Sequence, residues 1–435
     1  MLVLALAAKS LRNRLLATAL TVVAIALSVA LLVGVRRVQD GMRESFAGVI
    51  RGTDLIVGPR GGALQLLMYT VFGLGTSTGN VPYAVYERWA RHPAVRWTIP
   101  FALGDSHRGF RVVGTTEAFF AHYQFRGGSR LAFASGAPFA ALYDVVLGAA
   151  VAERLGYRVG SPIVVTHGLG EVGFQQHEHA PFRVVGVLAR THTPVDRTIY
   201  VTLEGVEAMH AEEGAHADEG EHADEGEHAE EGEHAAEPHA TEAGPRRADV
   251  PVTQVTAFLV GATLRRDALT LQRAIGEDRA EPLTAVIPGV ALQELWQNLG
   301  YAEDGLRLLT LFVVGVGLLA MLIALYTSLA ARRREMAILR AVGAGPRRIV
   351  GLLVLEAGLL SALGCALGVG LVYALLATLQ APVEARFGLR LPITALGTPE
   401  WTYVGAVLGA GVLIGFVPAL RAYRDALADG LSVRL

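Results

Sequence analysis

The sequence predicts a membrane protein: four transmembrane α-helices with a large α+β extracytoplasmic domain between the first and the second. Three observations carry that prediction. Residues 15–35, 308–331, 357–379 and 401–420 are uncharged apolar runs, each with the ~20 residues that a helix needs to cross the hydrocarbon core. Between the first and second runs the composition becomes that of an ordinary globular domain, in which strand-like and helix-like segments alternate. Basic residues, finally, gather at one side of the runs.

The first run follows Lys9, Arg12 and Arg14, as a secretory signal would. Its apolar stretch exceeds the ~7–15 residues of a signal core, and Arg36-Arg37 follows at once, so an uncleaved anchor is expected. Residues 1–35 are thus read as an N-terminal amphipathic segment and the first transmembrane helix. Lys9, Arg12 and Arg14 precede that helix. Arg332, Arg333, Arg334, Arg340, Arg347 and Arg348 lie between the second and third runs, and Arg421, Arg424 and Arg434 follow the fourth. The loop between the third and fourth offers only Arg386 and Arg390. The basic bias places both termini and the 332–348 loop in the cytoplasm and residues 36–305 outside.

Within 36–305, helical stretches are expected from Val81-Pro82-Tyr83 through Arg91, at Ala149–Leu155 and over 268–275. Strands are expected over 95–103, 110–113, Asp144–Leu147, 163–165, 182–187, 198–201 and 256–260, with a second lobe at about 135–205. One segment stands apart. From Glu207 to Ala243 there are fourteen Asp/Glu, no Arg or Lys, and six histidines. His210, His216, His222, His228 and His234 recur every six residues, and His239 closes the series. High charge, repeated glycine and no large apolar residue after Met209 predict a disordered loop over 207–243. Neutral imidazoles among carboxylates suit zinc, nickel or copper, so those six histidines are candidate ligands for a divalent transition metal. The competing reading is an expanded repeat without function. His177-Glu178-His179 could contribute, since alternate residues share a face on a strand, but a solvated loop is the favoured reading.

Other chemistries find less support. Cys365 is the single cysteine and lies inside an apolar run, which excludes an intrachain disulfide and a cysteine metal cluster. A net charge of -2 gives no footprint for nucleic acid. Gly75-Thr76-Ser77-Thr78-Gly79 fits G-x-S-x-G, but that pattern implies a nucleophile only at a strand-to-helix elbow, and no clear strand precedes it. Lys9 is the only lysine and has no G-x-x-x-x-G before it. A P-loop ATPase is therefore excluded, no catalytic residue or bound cofactor is expected, and any ATP must be bound by a partner.

In the last two runs, Gly364 with Gly368, Gly405 with Gly409, and Gly411 with Gly415 show small-xxx-small spacing, which predicts close helix packing within the chain or against a second copy. The cytoplasmic stretch 332–344 starts with three arginines, continues with good helix formers and places Met336, Leu339 and Val342 on one face. Gly343 is a plausible stop, and Pro346 suits the start of the third membrane helix. A short amphipathic helix over 332–343 is apt to dock a soluble partner; an ordinary basic loop is the plain alternative.

At this point the sequence resembles the FtsX-like permeases of the MacB and LolC/LolE type. Residues 332–344 are similar to the family's R-R-R-E-[IM]-A-I-L-R-A-[LV]-G-A signature, continued through Leu355-Glu356-Ala357. Residues 5–16, with Arg12-Asn13 and Leu16, resemble its opening segment, and Pro418-Ala419-Leu420-Arg421-Ala422 with Asp425-Ala426-Leu427 its close. Val145-Val146-Leu147-Gly148, Val151-Ala152 and Leu155-Gly156 resemble its outer-domain motif. The resemblance implies an FtsX-like domain over 306–435 and a homodimer, or a pair of like permeases, bound to a separate cytoplasmic ABC ATPase in a bacterial inner membrane. It implies coupling to that ATPase through Glu335, Met336, Ile338, Leu339 and Arg340, an outer domain that moves with ATP binding, and room for a periplasmic adaptor or lipoprotein partner. It also puts Glu356 near the cytoplasmic end of the third span. The His-rich insertion departs from the family pattern and points toward metal-linked export. A metal-sensing membrane receptor without transport is the alternative from another class.

Overall fold

The structure is a computed structural model that describes residues 15–167, 182–220, 247–331, 345–387 and 393–431. Contacts divide the chain into a helical unit (1–43, 298–382 and 391–435) and an outer unit (44–297 with 383–390).

Among the described residues, four helices are long and apolar enough to cross a membrane. They belong to α1 (Leu15–Val49), α8 (Pro288–Ala331), α9 (Pro346–Phe387) and α10 (Thr398–Leu431). Each helix outruns its uncharged run. In α1 the turn beyond residue 35 is held by an i,i+4 pair, with Arg36 Nε 2.9 Å from Asp40. Pro346 opens α9, where the missing N–H is no loss.

The remaining helices are short: α2 (Ala63–Leu67), α3 (Tyr83–Ala90), α4 (Ala118–His122), α5 (Ala149–Leu155), α6 (Leu203–Gly220) and α7 (Asp267–Gly276). The strands are β1 (Leu55–Pro59), β2 (Val81–Pro82), β3 (Val95–His107), β4 (Phe110–Thr115), β5 (Gln124–Phe125), β6 (Ser129–Arg130), β7 (Phe133–Gly136) and β8 (Asp144–Leu147). They continue with β9 (Pro162–Ile163), β10 (Thr166–His167), β11 (Phe182–Leu188), β12 (Thr198–Thr202), β13 (Gln254–Val255), β14 (Ala257–Ala262) and β15 (Leu283–Val286).

One large sheet runs β15-β1-β14-β3-β4-β12-β8-β11-β7. Neighbours are antiparallel except β4 with β12 and β8 with β11. The sequence of β14, Ala-Phe-Leu-Val-Gly-Ala, is apolar without alternation because it is buried on both faces. In β11 the alternation Phe182, Val184, Gly186, Leu188 marks one buried and one wetter face. β3 is long enough to serve both halves of the sheet. It pairs with β14 up to Phe101, and its register with β4 shifts between Leu103 and Ser106. Among the described residues, three core clusters lie in the outer unit. One, from Ile56 to Leu292, is aromatic, with Phe119 between Phe101 and Tyr200. A second joins residues from Phe110 to Met209, and a third packs α3 and α7 against β1, β14 and β15.

The stretch 207–220, expected within a disordered loop, is helical. It forms most of α6, because Leu203, Val206 and Met209 bury one face at its start and the alanines and glutamates that follow propagate a nucleated helix cheaply. Residues 221–246 lie outside the described residues.

Candidate functional site

Val145-Val146-Leu147-Gly148 and the residues up to Gly156 form a β8–α5 unit. Gly148 is its corner, because a Cβ there would strike the carbonyls of Val195 and Asp196. Gly156 ends α5 in the left-handed region at φ 71°, where glycine carries no Cβ penalty. Asp196 holds the facing loop. Its buried carboxylate accepts from the Thr191 N–H (2.8 Å), the Thr191 hydroxyl (2.8 Å) and the His192 N–H (2.7 Å).

The root of the His-rich insertion is fastened at both ends. Arg247, where the chain returns, pairs with Glu204 in the first turn of α6 (2.9 Å) and with Glu117. The start of α6 and the point where the described chain resumes are therefore neighbours. Of the six candidate histidines, His210 is on α6 with its Nε2 3.5 Å from Oδ1 of Asp105, a carboxylate only 3% exposed on β3. His216 is also on α6. His222, His228, His234 and His239 lie outside the described residues, as do His177, Glu178 and His179. Among the described residues no three His, Cys, Asp or Glu side chains come together as metal ligands. Nearby, His107 is 5% exposed and held as neutral imidazole: Nδ1 is 2.5 Å from the Val164 carbonyl and Nε2 3.0 Å from the Tyr157 hydroxyl. Burial lowers its pKa, more than the Val164 hydrogen bond restores, and Arg108 adds to the lowering.

Glu335, Met336, Ile338, Leu339 and Arg340 lie outside the described residues. The helix that follows them, α9, meets α1 and α10 through small residues. On α9, a Cβ at Gly364 would come within 2.5 Å of Ile25, and one at Gly368 within 2.6 Å of the Ala26 carbonyl, both on α1. On α10, Gly411 abuts Ser361, and a Cβ at Gly415 would come within 2.5 Å of Ala357. Gly405 and Gly409 face open space. Two of the three spaced glycine pairs thus serve packing within the chain. Glu356 on α9 is buried, 4% exposed.

A polar knot passed over in the sequence lies at the far end of α1. Arg37 and Glu400, 8% and 6% exposed, pair at 3.1 Å. The same guanidinium donates to Thr394 Oγ1 and to the Ala395 carbonyl, each at 2.7 Å, and lies 5.7 Å from the Tyr373 ring centroid. One side chain so ties α1 to the start of α10 and to the segment before it. The sequence signal is Glu400, an acid directly before an uncharged run, opposite the Arg36-Arg37 pair that ends another.

Ser77 follows a π-helical turn (Met68–Phe72), not a strand, and its hydroxyl donates to the Gly79 carbonyl at 2.5 Å. That is a local turn contact, away from any nucleophile elbow.

Among solved structures, the periplasmic region of MacB from Actinobacillus actinomycetemcomitans is similar at 11% identity and a TM-score of 0.33, over 58% of this chain and 96% of that one. The extracellular domain of the noncanonic ABC-type transporter YknZ from Gram-positive bacteria is similar at 10% identity and a TM-score of 0.29, over 54% and 98%. No curated protein matches the chain. Two family models do. The MacB-like periplasmic core domain matches residues 18–227, and the FtsX-like permease C-terminal domain matches residues 307–427. With the α+β domain placed between the first and second of four span-length helices, the chain belongs to the MacB-like, FtsX-like family of ABC transporter permeases, as a multi-pass membrane protein.

Proposed function

We propose that this chain converts ATP hydrolysis by a separate cytoplasmic subunit into movement of its outer domain. The observation that carries the reading is the FtsX-like match over 307–427, which takes in the basic amphipathic stretch 332–343. That stretch lies on a chain whose only lysine, Lys9, stands outside any P-loop. In this reading Glu335, Met336, Ile338, Leu339 and Arg340 seat against the ATPase, and α8 and α9 carry displacement across the bilayer. The functional divisions are 1–35, 36–305 and 306–435. Both termini lie in the cytoplasm of an inner membrane, and two permeases pair around two ATPase copies. Leu339→Asp puts a charge into the apolar face of the docking helix, so the ATPase should fail to co-purify while the permease still inserts. Normal co-purification with this variant would remove the coupling assignment.

The insertion adds a metal-linked branch to that role. Its support is the six-residue histidine period and the approach of His210 to Asp105. Wrapping several imidazoles around one zinc ion carries an ordering cost, so binding should be moderate. Zinc titration of the intact protein against a deletion of 208–243 tests it. Equal uptake by both would discard the metal branch and leave the permease role standing.

A further inference from the structure

The outer domain holds a cavity of about 290 Å³ lined by Gly52, Arg96, Trp97, Ala121, His122, Gln124 and Arg130. We propose that it is a binding site for a small oxyanion, a carboxylate or a phosphate group, seated between the guanidiniums of Arg96 and Arg130 and the imidazole of His122. None of its residues belongs to the insertion or to the cytoplasmic stretch, and it goes beyond the proposed coupling role.

The first argument is charge. Three side chains able to carry positive charge line one cavity, and no carboxylate is among the lining residues. Among the described residues neither Arg96 nor Arg130 enters an ion pair, whereas Arg88, Arg190 and Arg247 on the same unit all do. The crowding is felt locally: burial lowers the His122 pKa, and Arg96 and Arg130 each lower it further. A bound anion reverses that repulsion, and guanidinium forks match the planar geometry of carboxylate and phosphate.

The second argument is construction. His122 ends α4 and stacks on Trp97, with ring centroids 5.4 Å apart and planes 2° from parallel. Trp97 in turn covers Gly261 on β14, where a Cβ would enter the indole. The imidazole therefore rests on a rigid wall. Gln124 is fixed by a bridge in which the Arg51 N–H donates to its carbonyl at 3.1 Å. Gly52, at φ 81°, leaves room against the Gln124 amide, since a Cβ would lie 3.0 Å from its Oε1. Arg96 comes from β3 of the large sheet, His122 from the end of α4 and Arg130 from β6 of the separate β5–β6 pair, so the cationic groups come from three elements and not from one loop.

Calorimetric titration of the full chain in maltoside detergent, with inorganic phosphate in one arm and succinate in the other, tests the site. Saturable binding is expected in at least one arm, and which arm identifies the anion class. The double variant Arg96→Gln/Arg130→Gln should weaken it by about tenfold or more, from the loss of charge-assisted hydrogen bonds. Arg266→Gln, at a solvent-exposed arginine outside the cavity, should bind as wild type. Both changed arginines are exposed, so an unaltered thermal midpoint will show that folding is intact. No saturable heat in either arm, or equal binding by the double variant, overturns the proposal.

Discussion

The outer domain and the helical unit hide opposite things. In the outer domain large apolar side chains go inside: Phe258, Leu259 and Val260 on β14 are at most 1% exposed. In the helical unit many of them go outside. Phe312 is 69% exposed and Leu413 also 69%, while the helix contacts are made by Gly364, Gly368, Gly411 and Gly415. The difference is one of solvent. Water drives apolar surface into a sheet core, whereas lipid tails are as apolar as leucine and reward only close approach and polar contacts between helices. A substitution should therefore change its effect according to the unit that carries it.

The largest contrast is between two phenylalanines. Phe258→Ala deletes a fully buried ring that packs 5.3 Å from Tyr86, and should cost about 3–5 kcal/mol in denaturant unfolding of the outer domain. Phe312→Ala removes an equal side chain from a lipid-facing surface and should stay within about 0.5 kcal/mol. Comparable losses would mean that the exposed face of α8 is covered in the working protein.

Polar burial comes next. Glu400→Gln leaves the Arg37 guanidinium without its counter-charge and should lower stability by about 3–5 kcal/mol, read as a fall in thermal midpoint in detergent. Arg37→Leu combined with Glu400→Leu removes both charges and should recover most of that loss. If the double variant is as weak as the single, the hydrogen bonds to Thr394 and Ala395 matter more than the ion pair.

Glycine separates the contacts within the helical unit itself. Gly368→Val would drive methyls into the Ala26 carbonyl and Val29, an overpacking cost of about 1–3 kcal/mol. Gly405→Val meets nothing within 4 Å and should be nearly neutral in the isolated chain. A Gly405→Val variant that folds normally but no longer forms dimers would assign the open glycine face to a second copy.

What the sequence made legible follows the same division. The spans were readable because uncharged runs of that length have few other uses. β3, β4, β8, β11, β12 and β14 were readable from β-branched and aromatic runs. β1, β7 and β15 escaped, and Val81–Pro82, expected at the opening of a helix, is strand β2 paired with β13. Phe133–Gly136 is exposed at the sheet edge, and Leu55–Pro59 and Leu283–Val286 are short and flanked by charge, so each gains its place from pairing and not from pattern. The Arg37–Glu400 pair and the Arg96–His122–Arg130 cavity are contacts between distant segments, which no local spacing reveals. The histidine period marks His210, but its neighbour Asp105 is a contact between segments far apart in sequence.

The smallest effect belongs to a buried histidine and tests whether the outer core tolerates a charge. His107 ordinarily titrates near 6.5, and burial holds it lower in the folded protein. The unfolded chain therefore takes up the proton first as the medium is acidified. Stability is complete above that ordinary value, declines as pH falls through it, and levels off once pH is below the folded value. His107→Gln can still donate to the Val164 carbonyl and accept from Tyr157 without titrating, so the variant should show a shallower decline between about pH 7 and pH 5. His122, lowered in the same direction but exposed, remains in both proteins and cancels in the comparison. Parallel unfolding curves at each pH read the difference. Identical slopes would mean that water reaches the imidazole and that the core around Tyr157 and Val164 opens before the domain unfolds.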